Sequence, residues 1–570
     1  MHHTGGDQLA SATAATNRSP ARNNLKNGRT EAVEMEDVNS TVQYGIEGDS
    51  MLSTEEDTPL LNAEDEDDER EAKDGSGLSY DESIEIVGFG KFHILLLAVC
   101  GWANASDAVE TLSISFILPS AKCEMDLSSF QLGVLSAAIF LGMMVGGYVW
   151  GALSDIRGRR SVLLWSLSCN ALFGLLSSIA QSYWLFVLMR FLSGVGVGGA
   201  TPVIFSYFGE FQPKKWRGAM ISLLSMFWMC GNIIAAGIAW IIIPKSINNS
   251  SKGFSYTSWR VFISCCVVPA FTSVLTFIFM PESPKFLLEN GQEDKALKAF
   301  KTMWLLNKGT RKGFKIFSLR SVASEDQIQQ RVSLSSNLGW IAYYKDNLIG
   351  MLRSTAELFD KKLCKITILQ LIIISTLSFG YYGLYIWFPV LFQQVEITGS
   401  ACRVSNSSDT NDTCINGVVE YNPQVYKDSF YTAASNLPGN IIATCLIDVV
   451  GRRSLVSSSL ILSGISVFFI WLVRNRTQVL IMSCIFGGIS TIAWNSFNVL
   501  QVELYPTHLR STAIGAIALA NRLGAICSTL VFGALINVYC AVPIFMVAIL
   551  MVFGGLLVWA LPNTTRISLE

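Results

Sequence analysis

The sequence predicts an all-α membrane protein whose twelve transmembrane helices form two pseudo-symmetric six-helix bundles. The prediction rests on the composition, on the lengths of the apolar segments and on an internal repeat. Of the 570 residues, 51% are hydrophobic and 15% are charged, against roughly 25% charged in an ordinary soluble domain. A water-soluble chain of this composition would expose far too much apolar surface. The net charge of −2, without a basic stripe, argues against nucleic-acid binding.

Residues 1–85 form a polar segment, rich in Ser, Asn and Glu, that ends in the acidic run 64–69. The segment has too few apolar residues to offset the entropy of ordering, so we expect a disordered acidic tail in the cytosol. Within it, Glu56 with Leu60 and Leu61 has the form of an acidic dileucine sorting signal, which trafficking adaptors read as an address. The alternative is a chance pair of leucines in a tail.

From Phe92 onward, each apolar segment has the roughly 20 residues that cross a hydrocarbon core. Six segments fall in residues 86–280, the predicted N-terminal bundle, and six in 363–562, the predicted C-terminal bundle. The predicted spans are 92–118, 130–152, 161–180, 184–207, 218–243, 259–280, 364–388, 430–450, 454–473, 477–501, 510–532 and 541–561. We expect residues 281–362 to form a charged cytosolic loop with surface helices, and 563–570 a second cytosolic tail.

The distribution of Lys and Arg beside the spans predicts the orientation. Basic residues concentrate in very short turns on one side, at 157–160, 214–217, 452–453 and 510. The acidic tail lies on the same side. Both termini are therefore predicted to be cytosolic in an integral membrane protein.

The loops on the opposite side carry the candidate modification sites. Sequons there predict glycosylation at Asn249, Asn406, Asn411 and Asn475. Cys402 and Cys414 share the outer loop 389–429 and form a candidate disulfide in an oxidising lumen, with Cys123 or Cys540 as competing partners.

Matched motifs recur at a constant offset of 293 residues. The pattern Asp-x-x-Gly-Arg-Arg at 155–160 returns at 448–453. Gly194 corresponds to Gly487, and the pair Glu210 and Arg217 corresponds to a second Glu-to-Arg pair seven residues apart, Glu503 and Arg510. Such a duplication indicates two parallel halves related by an axis along the membrane normal, with the substrate site between them.

The duplicated residues suggest a cytosolic gate. In the first turn, Gly151 permits close helix approach, and Asp155 meets a helix N-terminus or an arginine of a neighbouring span, latching the cytosolic side when the outer side is open. The alternative is that these charges only orient and solubilise short loops. The predicted gating residues are Gly151, Asp155, Gly158, Arg159, Arg160, Glu210, Arg217, Asp448, Gly451, Arg452, Arg453, Glu503 and Arg510.

These motifs resemble the major facilitator superfamily, in its sugar-porter and organic-ion-transporter branch. The resemblance rests on the turn 151–160, on 190–196, on Pro281-Glu-Ser-Pro-Lys-Phe-Leu287 and on 503–510, with Ile156 as one departure where a basic residue is usual. Further segments resemble the synaptic vesicle glycoprotein 2 family: 116–120, 141–145, 205–208, 226–229, 381–384, 387–389, 437–440 and 493–495. The large luminal domain of that family is replaced here by the loop 389–429, as in the related short-looped branch.

Ionisable residues at membrane depth are candidate sites because burying them is costly. Asp107 lies near the middle of the first span, and Glu110 shares its helix face, so together they suit a proton or cation relay. The alternative is that both are fixed by hydrogen bonds or a positive partner. Arg522, ~18 Å along its helix from Arg510, is either their structural counter-ion or the anchor of an anionic substrate. The family resemblance implies the anchor. Arg190 is expected to snorkel or to pair.

Aromatic and amide residues form the rest of the candidate substrate site. Trp228 and Trp494 lie well inside spans of opposite halves, so facing indoles would sandwich a flat or cyclic ligand. The resemblance implies that these tryptophans line a central pocket, with polar neighbours Asn495 and Asn498. The alternative is buried packing tryptophans. Tyr381 and Tyr385 in the seventh span either add to the cavity or pack.

Two functions follow from these patterns together with the family resemblance. The first is a secondary transporter of a small organic solute, an organic anion or a sugar-like compound, working by alternating access with protons as a coupling ion, on synaptic or secretory vesicles or endosomes. The second is a non-transporting vesicle protein that regulates trafficking or exocytosis through its tail. Enzyme activity has no support, since four histidines and no nucleophile–base set occur. We expect no cofactor or metal, and a monomer in the bilayer.

Overall fold

The computed structural model describes residues 77–245, 248–251, 254–310, 314, 316, 318–319, 353, 355–361, 363–398, 414–415, 418–419, 422–473, 475–506, 509–536, 538–539 and 541–562. The predicted sorting signal at Glu56, Leu60 and Leu61 lies outside these residues. So do Cys402 and the sequons at Asn406 and Asn411.

Twelve helices among the described residues are long and apolar enough to cross a membrane, which confirms the predicted fold class. They are α1 Lys91–Glu124, α2 Ser129–Arg157, α3 Arg159–Ile179, α4 Tyr183–Gly209, α5 Lys214–Ile242, α6 Ser258–Ile278, α7 Cys364–Thr398, α8 Pro423–Val450, α9 Arg452–Leu472, α10 Arg476–Glu503, α11 Arg510–Leu535 and α12 Ala541–Val558. Helix α8 consists of two segments, Pro423–Ala434 and Asn436–Val450.

Prolines explain the largest differences from the predicted bounds. The first and seventh spans were expected to end just before Pro119 and Pro389, yet both prolines lie inside helices that continue. A proline removes one backbone hydrogen bond, and neighbouring helices in a bundle can compensate for that loss. The eighth span begins earlier than predicted, because Pro423 occupies the first helical turn and the Asn422 side chain caps it.

The two bundles repeat the same helix packing. In the N-terminal bundle α1 packs on α5, α2 on α4 and α3 on α6. In the C-terminal bundle the equivalent pairs are α7 with α11, α8 with α10 and α9 with α12. The pseudo-symmetry predicted from the 293-residue offset is therefore present in the packing.

The molecule has two opposite faces at the ends of its spanning helices. The motif face carries the turns 155–160 and 448–453. The hairpin face carries two short hairpins, β1 Asn248–Ser251 with β2 Phe254–Thr257, and β3 Cys414–Ile415 with β4 Val418–Val419.

Three short helices lie at the motif face: Tyr80–Val87, Pro284–Glu289 and Glu293–Lys308. Their apolar residues share one core with the ends of the N-terminal bundle, including Phe92 and Phe211. Asn307 fixes the junction, since its side chain accepts from the Phe92 amide and donates to the Gly88 carbonyl. The segment before α1 and the start of the central loop are thus packed onto the N-terminal bundle.

Contacts between the bundles concentrate toward the hairpin face. Helices α2 and α11 cross at Gly133 and Gly533, where a Cβ on Gly533 would lie 2.8 Å from the Cα of Gly133. The Ser115 hydroxyl donates to the Ile386 carbonyl at 2.9 Å. Trp240 and Phe430 are in ring contact at 5.7 Å. Every hydrogen bond and ring contact that joins described residues of the two bundles lies at the membrane centre or on this side of it.

Candidate functional site

A buried ion pair occupies the centre of the N-terminal bundle. Arg190 of α4 donates to Glu110 of α1 at 2.7 Å, and the two side chains are 0% and 2% exposed. Ser193 donates to the same Glu110 oxygen, and Ser113 accepts from Arg190. Glu110 therefore has its positive partner within its own bundle. Arg522, which the sequence offered as a counter-ion for Asp107 and Glu110, does not pair with Glu110.

Asp107 lies one turn before Glu110 and faces the same helix, α4. It is fully buried, and its Oδ2 atom accepts a hydrogen bond from Thr201 at 3.1 Å. Its Oδ1 atom has no hydrogen-bond partner among the described residues. A buried carboxylate oxygen without a donor is rare in proteins and costly, so this atom needs an explanation.

Arg522 lies at the same depth as Asp107, on the other bundle. Ser115 bonds to the Ile386 carbonyl, so these two residues are level. Asp107 is eight residues before Ser115, and Ser378 is eight before Ile386, which places both about 12 Å nearer the motif face by helical rise. Ser378 in turn donates to the carbonyl and side chain of Asn521, the neighbour of Arg522.

The guanidinium of Arg522 forms no ion pair with any described residue, and its buried Nη1 atom has no acceptor there. Arg522 and Asp107 thus lie at one depth on opposite bundles. Two opposite charges therefore face the space between the halves at one depth, each with an unused hydrogen-bonding atom. Charges at this depth are typical of substrate or ion sites.

An aromatic wall lies just beyond this layer toward the hairpin face. The Trp494 ring contacts Tyr381 at 6.0 Å and Tyr382 at 6.2 Å, both edge-to-face. Tyr381 also stacks on Tyr385 at 5.1 Å. The Trp494 indole N–H and the Tyr381 hydroxyl are buried without partners among the described residues. These two polar atoms add hydrogen-bonding capacity to the site.

The other predicted pocket residues, Trp228, Asn495 and Asn498, differ in burial and in hydrogen-bond partners. Trp228 is half-buried and makes no ring contact with Trp494, and the sandwich of a ligand between the two indoles stays a prediction. Asn495 donates to Asn440 within the C-terminal bundle at 2.9 Å. Asn498 is exposed one turn nearer the motif face than Trp494 and accepts from Gln501. Their roles in binding stay predictions.

Tyr385 joins the two bundles. Its hydroxyl accepts from the side-chain amide of Asn232 on α5 and from that of Asn436 on α8. Thr491 donates to Asn436 and orients it. The Tyr385 hydroxyl thus accepts one hydrogen bond from each bundle, whereas the Tyr381 hydroxyl has no partner among the described residues.

The duplicated turns form the same ion-pair network twice. Arg159 contacts Asp155 at 2.6 Å and Glu210 at 3.3 Å. Arg452, 293 residues later, contacts Asp448 at 2.8 Å and Glu503 at 3.1 Å. Gly158 and Gly451 adopt positive φ angles of 97° and 89°, which favour glycine at both turns.

Some predicted gating residues lie outside these networks. Arg217 donates to the Gln212 carbonyl and is not paired with Glu210, whose partner is Arg159. A Cβ at Gly151 would meet nothing within 4 Å, so close helix approach does not depend on that glycine. The Nε atom of Arg510 is buried without a partner among the described residues. The gating role of the whole set stays a prediction.

The second arginine of each turn is braced differently. The Arg160 side chain donates to the carbonyls of Phe277 and Ile278, while its backbone N–H donates to Glu282 at 2.9 Å. Burial raises the pKa of Glu282 above its ordinary value, and its backbone hydrogen bonds oppose that rise. In the second turn, Arg453 donates to the Trp559 carbonyl and lies over its ring.

A cavity of about 550 Å³ lies at the motif face, away from the Asp107 layer. Tyr80, Glu210 and Arg217 are among its lining residues. The Tyr80 hydroxyl donates to the Glu210 carbonyl, and burial raises the pKa of this phenol. The cavity therefore belongs to the packing of the Tyr80–Val87 helix on the N-terminal bundle.

The hairpin face contains the remaining predicted sites that are described. Asn475 is exposed immediately before α10, and Asn249 lies in β1. Cys123, at the end of α1, is disulfide-bonded. A pairing of Cys402 with Cys414 stays a prediction, with Cys123 now a demonstrated participant in a disulfide.

Comparison with known proteins agrees with this geometry. The family model described as "Sugar (and other) transporter" matches residues 86–400, and the model "Major Facilitator Superfamily" matches residues 429–568. The chain belongs to the major facilitator superfamily. The relatives found are transporter-family proteins and not enzymes, as expected.

Synaptic vesicle glycoproteins are among the relatives of this superfamily member. It is 32% identical to synaptic vesicle glycoprotein 2C of Rattus norvegicus, with 85% of this chain and 80% of that protein covered. Identity to synaptic vesicle glycoprotein 2B of Homo sapiens is 31%, with 85% of each covered. The xylose transporter XylE of E. coli, in a partially occluded inward-open conformation, has the same fold, with a TM-score of 0.63 at 15% identity over 84% of this chain and all of that one.

Several functional candidates of this superfamily member were not assigned from the sequence. Thr201, Asn232 and Asn436 gave no signal, because uncharged polar residues in apolar spans are common. Glu282 belongs to a recognised motif, but its contact with the Arg160 turn depends on chain folding over more than a hundred residues. Pairing of Arg190 with Glu110 was one of two alternatives, and the structure selects it.

Proposed function

We propose that this protein is a secondary transporter that moves a small organic solute across a vesicle membrane by alternating access. The observation that carries the proposal is the common depth of Arg522 and Asp107, one on each bundle, each with a polar atom that has no partner among the described residues. Charged side chains are costly in a membrane. A solute that binds between the bundles gives both groups a partner. Because the two groups belong to different bundles, their contacts with the solute change as the bundles move apart, which gives a basis for transport.

The contacts between the bundles support one half of an alternating cycle. Tyr385 with Asn232, together with the Gly133–Gly533 crossing, closes the hairpin face. The described ion pairs at the motif face, such as Arg159–Glu210, stay within one bundle. We take the motif face as cytosolic, with both termini there, so this conformation faces the cytosol. Arg159 and Arg452 then act as latches that are rearranged when the cytosolic side closes.

Proton coupling is proposed at Asp107 and Glu110. Glu110 is held by Arg190, and protonation of Glu110 would weaken that pair and release the α1–α4 contact. Asp107 is one turn away and contacts the same helix. A proton bound at this cluster is therefore linked to the position of α4, which is the element that a proton-driven cycle would have to move.

The vesicle location rests on the names of the relatives, which are synaptic vesicle glycoproteins. The proposed trafficking adaptors would bind at Leu60 and Leu61. If the chain moves no solute, the same relatives favour the second function, a non-transporting vesicle protein that acts through its tail.

The test is solute uptake into proteoliposomes with and without a pH gradient. Arg522→Ala and Asp107→Asn should each reduce flux at least tenfold. Asp126→Asn is the matched control for the carboxylate, since Asp126 is exposed at the hairpin face, and Lys298→Ala is the matched control for the cation, since Lys298 is exposed on a motif-face helix. Equal flux in all five proteins would refute the assigned roles, and no flux in any would favour the tail-dependent function.

A further inference from the structure

We infer that the central site recognises a zwitterionic solute, whose cationic group binds Asp107 and whose carboxylate or similar anionic group binds Arg522. This inference rests on the proposed transport function and specifies the chemical class of its substrate. It follows from the geometry of two unpartnered groups and from the charge balance around them.

Two independent observations indicate that one ligand can reach both Asp107 and Arg522. The hydrogen bonds of Ser115 with Ile386 and of Ser378 with Asn521 put Asp107 and Arg522 in one layer. The side chains extend from different bundles, so the space between them is the interface itself. They are not within ion-pair distance of each other, since no such pair is formed among the described residues. A ligand with separated charges can therefore contact both.

The charge balance distinguishes a zwitterion from the simpler alternatives. Glu110 and Arg190 neutralise each other, which leaves one negative and one positive charge in the layer. An anion that paired with Arg522 would leave the Asp107 carboxylate buried without compensation. A cation that paired with Asp107 would likewise leave the Arg522 guanidinium without a compensating charge. Because an uncompensated buried charge is costly, a ligand with both charges is the one that satisfies both groups while Asp107 is ionised. An anion alone would require a protonated Asp107.

The surroundings of Asp107 also favour a cationic group. Thr201 holds the Oδ2 atom, so the second oxygen is presented in a fixed direction. The aromatic wall of Trp494, Tyr381 and Tyr382 lies about one helical turn away, by the spacing of Tyr381 and Ser378 on α7. Aromatic faces stabilise alkylammonium groups. The wall would therefore contact the methyl or methylene groups that surround a bound ammonium.

The test measures binding of a charge-matched set of compounds to the purified full-length protein. The set is 4-(trimethylammonio)butyrate, its methyl ester as the cation, 5,5-dimethylhexanoate as the isosteric anion, and the methyl ester of that acid as the neutral compound. Glycine betaine and 3-(trimethylammonio)propionate vary the charge separation. We expect at least one zwitterion to bind tenfold or more tightly than its cationic and anionic isosteres.

Variants of the two charged residues should each remove one of the two binding preferences. Asp107→Asn should remove the preference for the zwitterion over the anion, while Arg522→Gln should remove its preference over the cation. Asp126→Asn should keep both preferences. Equal binding of zwitterion and anion by the wild type, or no discrimination among the six compounds, would overturn the inference.

The failure of this inference is separable from that of the proposed function. If a neutral sugar or a simple anion is transported and its flux depends on Arg522, transport stands and the zwitterion is wrong. If no compound in either assay binds or moves, both fail.

Discussion

The two bundles have the same architecture but treat their buried charge in opposite ways. In the N-terminal bundle, Arg190 is neutralised by Glu110 and donates to Ser113, while Ser193 donates to Glu110. The C-terminal bundle has Ser483 at the position equivalent to Arg190, 293 residues later, and its own central cation, Arg522, has no ion-pair partner in the described part of the chain. The motif-face turns, by contrast, are nearly identical in both. Duplication thus preserved the ion pairs of the motif-face turns and let the centre diverge, which is where the proposed substrate site needs asymmetry.

The largest expected effect comes from breaking the paired charge. Glu110→Gln or Arg190→Gln alone should lower the free energy of unfolding by about 3–5 kcal/mol, because each leaves a buried charge without its partner. The double variant should recover part of that loss. Thermal unfolding of the purified protein measures the effect, with Ser483→Ala, at the equivalent position of the other bundle, as a near-neutral control. Additive losses in the double variant would contradict the pairing.

Loss of the unpaired charge of Arg522 should weaken solute binding and leave the stability of the fold nearly unchanged. Arg522→Gln removes no hydrogen bond or ion pair to a described residue, so the free energy of unfolding should change by less than about 1 kcal/mol, while solute affinity should fall at least tenfold. Thermal unfolding and binding are measured on the same preparation. A large destabilisation without a binding defect would show that Arg522 is structural, like Arg190.

The seal between the bundles gives the next effect. Tyr385→Phe leaves the amides of Asn232 and Asn436 without their acceptor, at a cost of about 1–3 kcal/mol to the closed hairpin face. Backbone amides of α7 and α8 near that face should exchange faster in hydrogen–deuterium exchange. Tyr381→Phe is the matched control, because its hydroxyl has no partner among the described residues. Equal exchange in both variants would argue against a seal at Tyr385.

The smallest effect concerns Glu282, which braces the first motif-face turn through the Arg160 backbone N–H. Burial raises the folded-state pKa of Glu282, so the folded protein holds this proton more tightly than the unfolded chain does. Its contribution to stability is therefore full below pH 4.5 and decreases as pH rises through the raised pKa, by at most about 1.4 kcal/mol per pH unit.

The difference in unfolding free energy between wild type and Glu282→Gln should accordingly shrink from pH 4.5 upward. Glu503→Gln, at the other turn, serves as the comparison for a motif-face carboxylate. A difference that grows with pH would mean that the backbone hydrogen bonds of Arg160 and Ser161 outweigh burial.

The sequence was sufficient for features that repeat or that follow from solvation. Apolar runs of membrane length located all twelve spans, and the constant offset identified the turns at Arg159 and Arg452. Helix ends at Pro119 and Pro389 were misplaced, because the penalty of a proline depends on neighbours that the sequence does not show. The depth of Asp107 was readable, but its partner Thr201 was not.

Relations between distant spans were the hardest to predict. Whether Arg190 or Arg522 neutralises Glu110 depends on which helix faces α1, and both were arginines at membrane depth. Trp228 and Trp494 were placed correctly within their spans, yet their separation depends on which face of the molecule is closed. Such relations are set by the relative position of the bundles, a property of the conformation and not of local sequence.

The central claim is that Asp107 and Arg522 face each other across the two bundles. Cross-linking of Asp107→Cys with Arg522→Cys by a flexible bis-maleimide of about 10 Å tests it directly, in a variant whose free cysteines are replaced and whose central loop carries a protease site. Trp240→Cys with Phe430→Cys, a pair in ring contact at 5.7 Å, is the positive control. We predict that both pairs keep the two bundles covalently joined after proteolysis. Joining in the control pair alone would contradict the account.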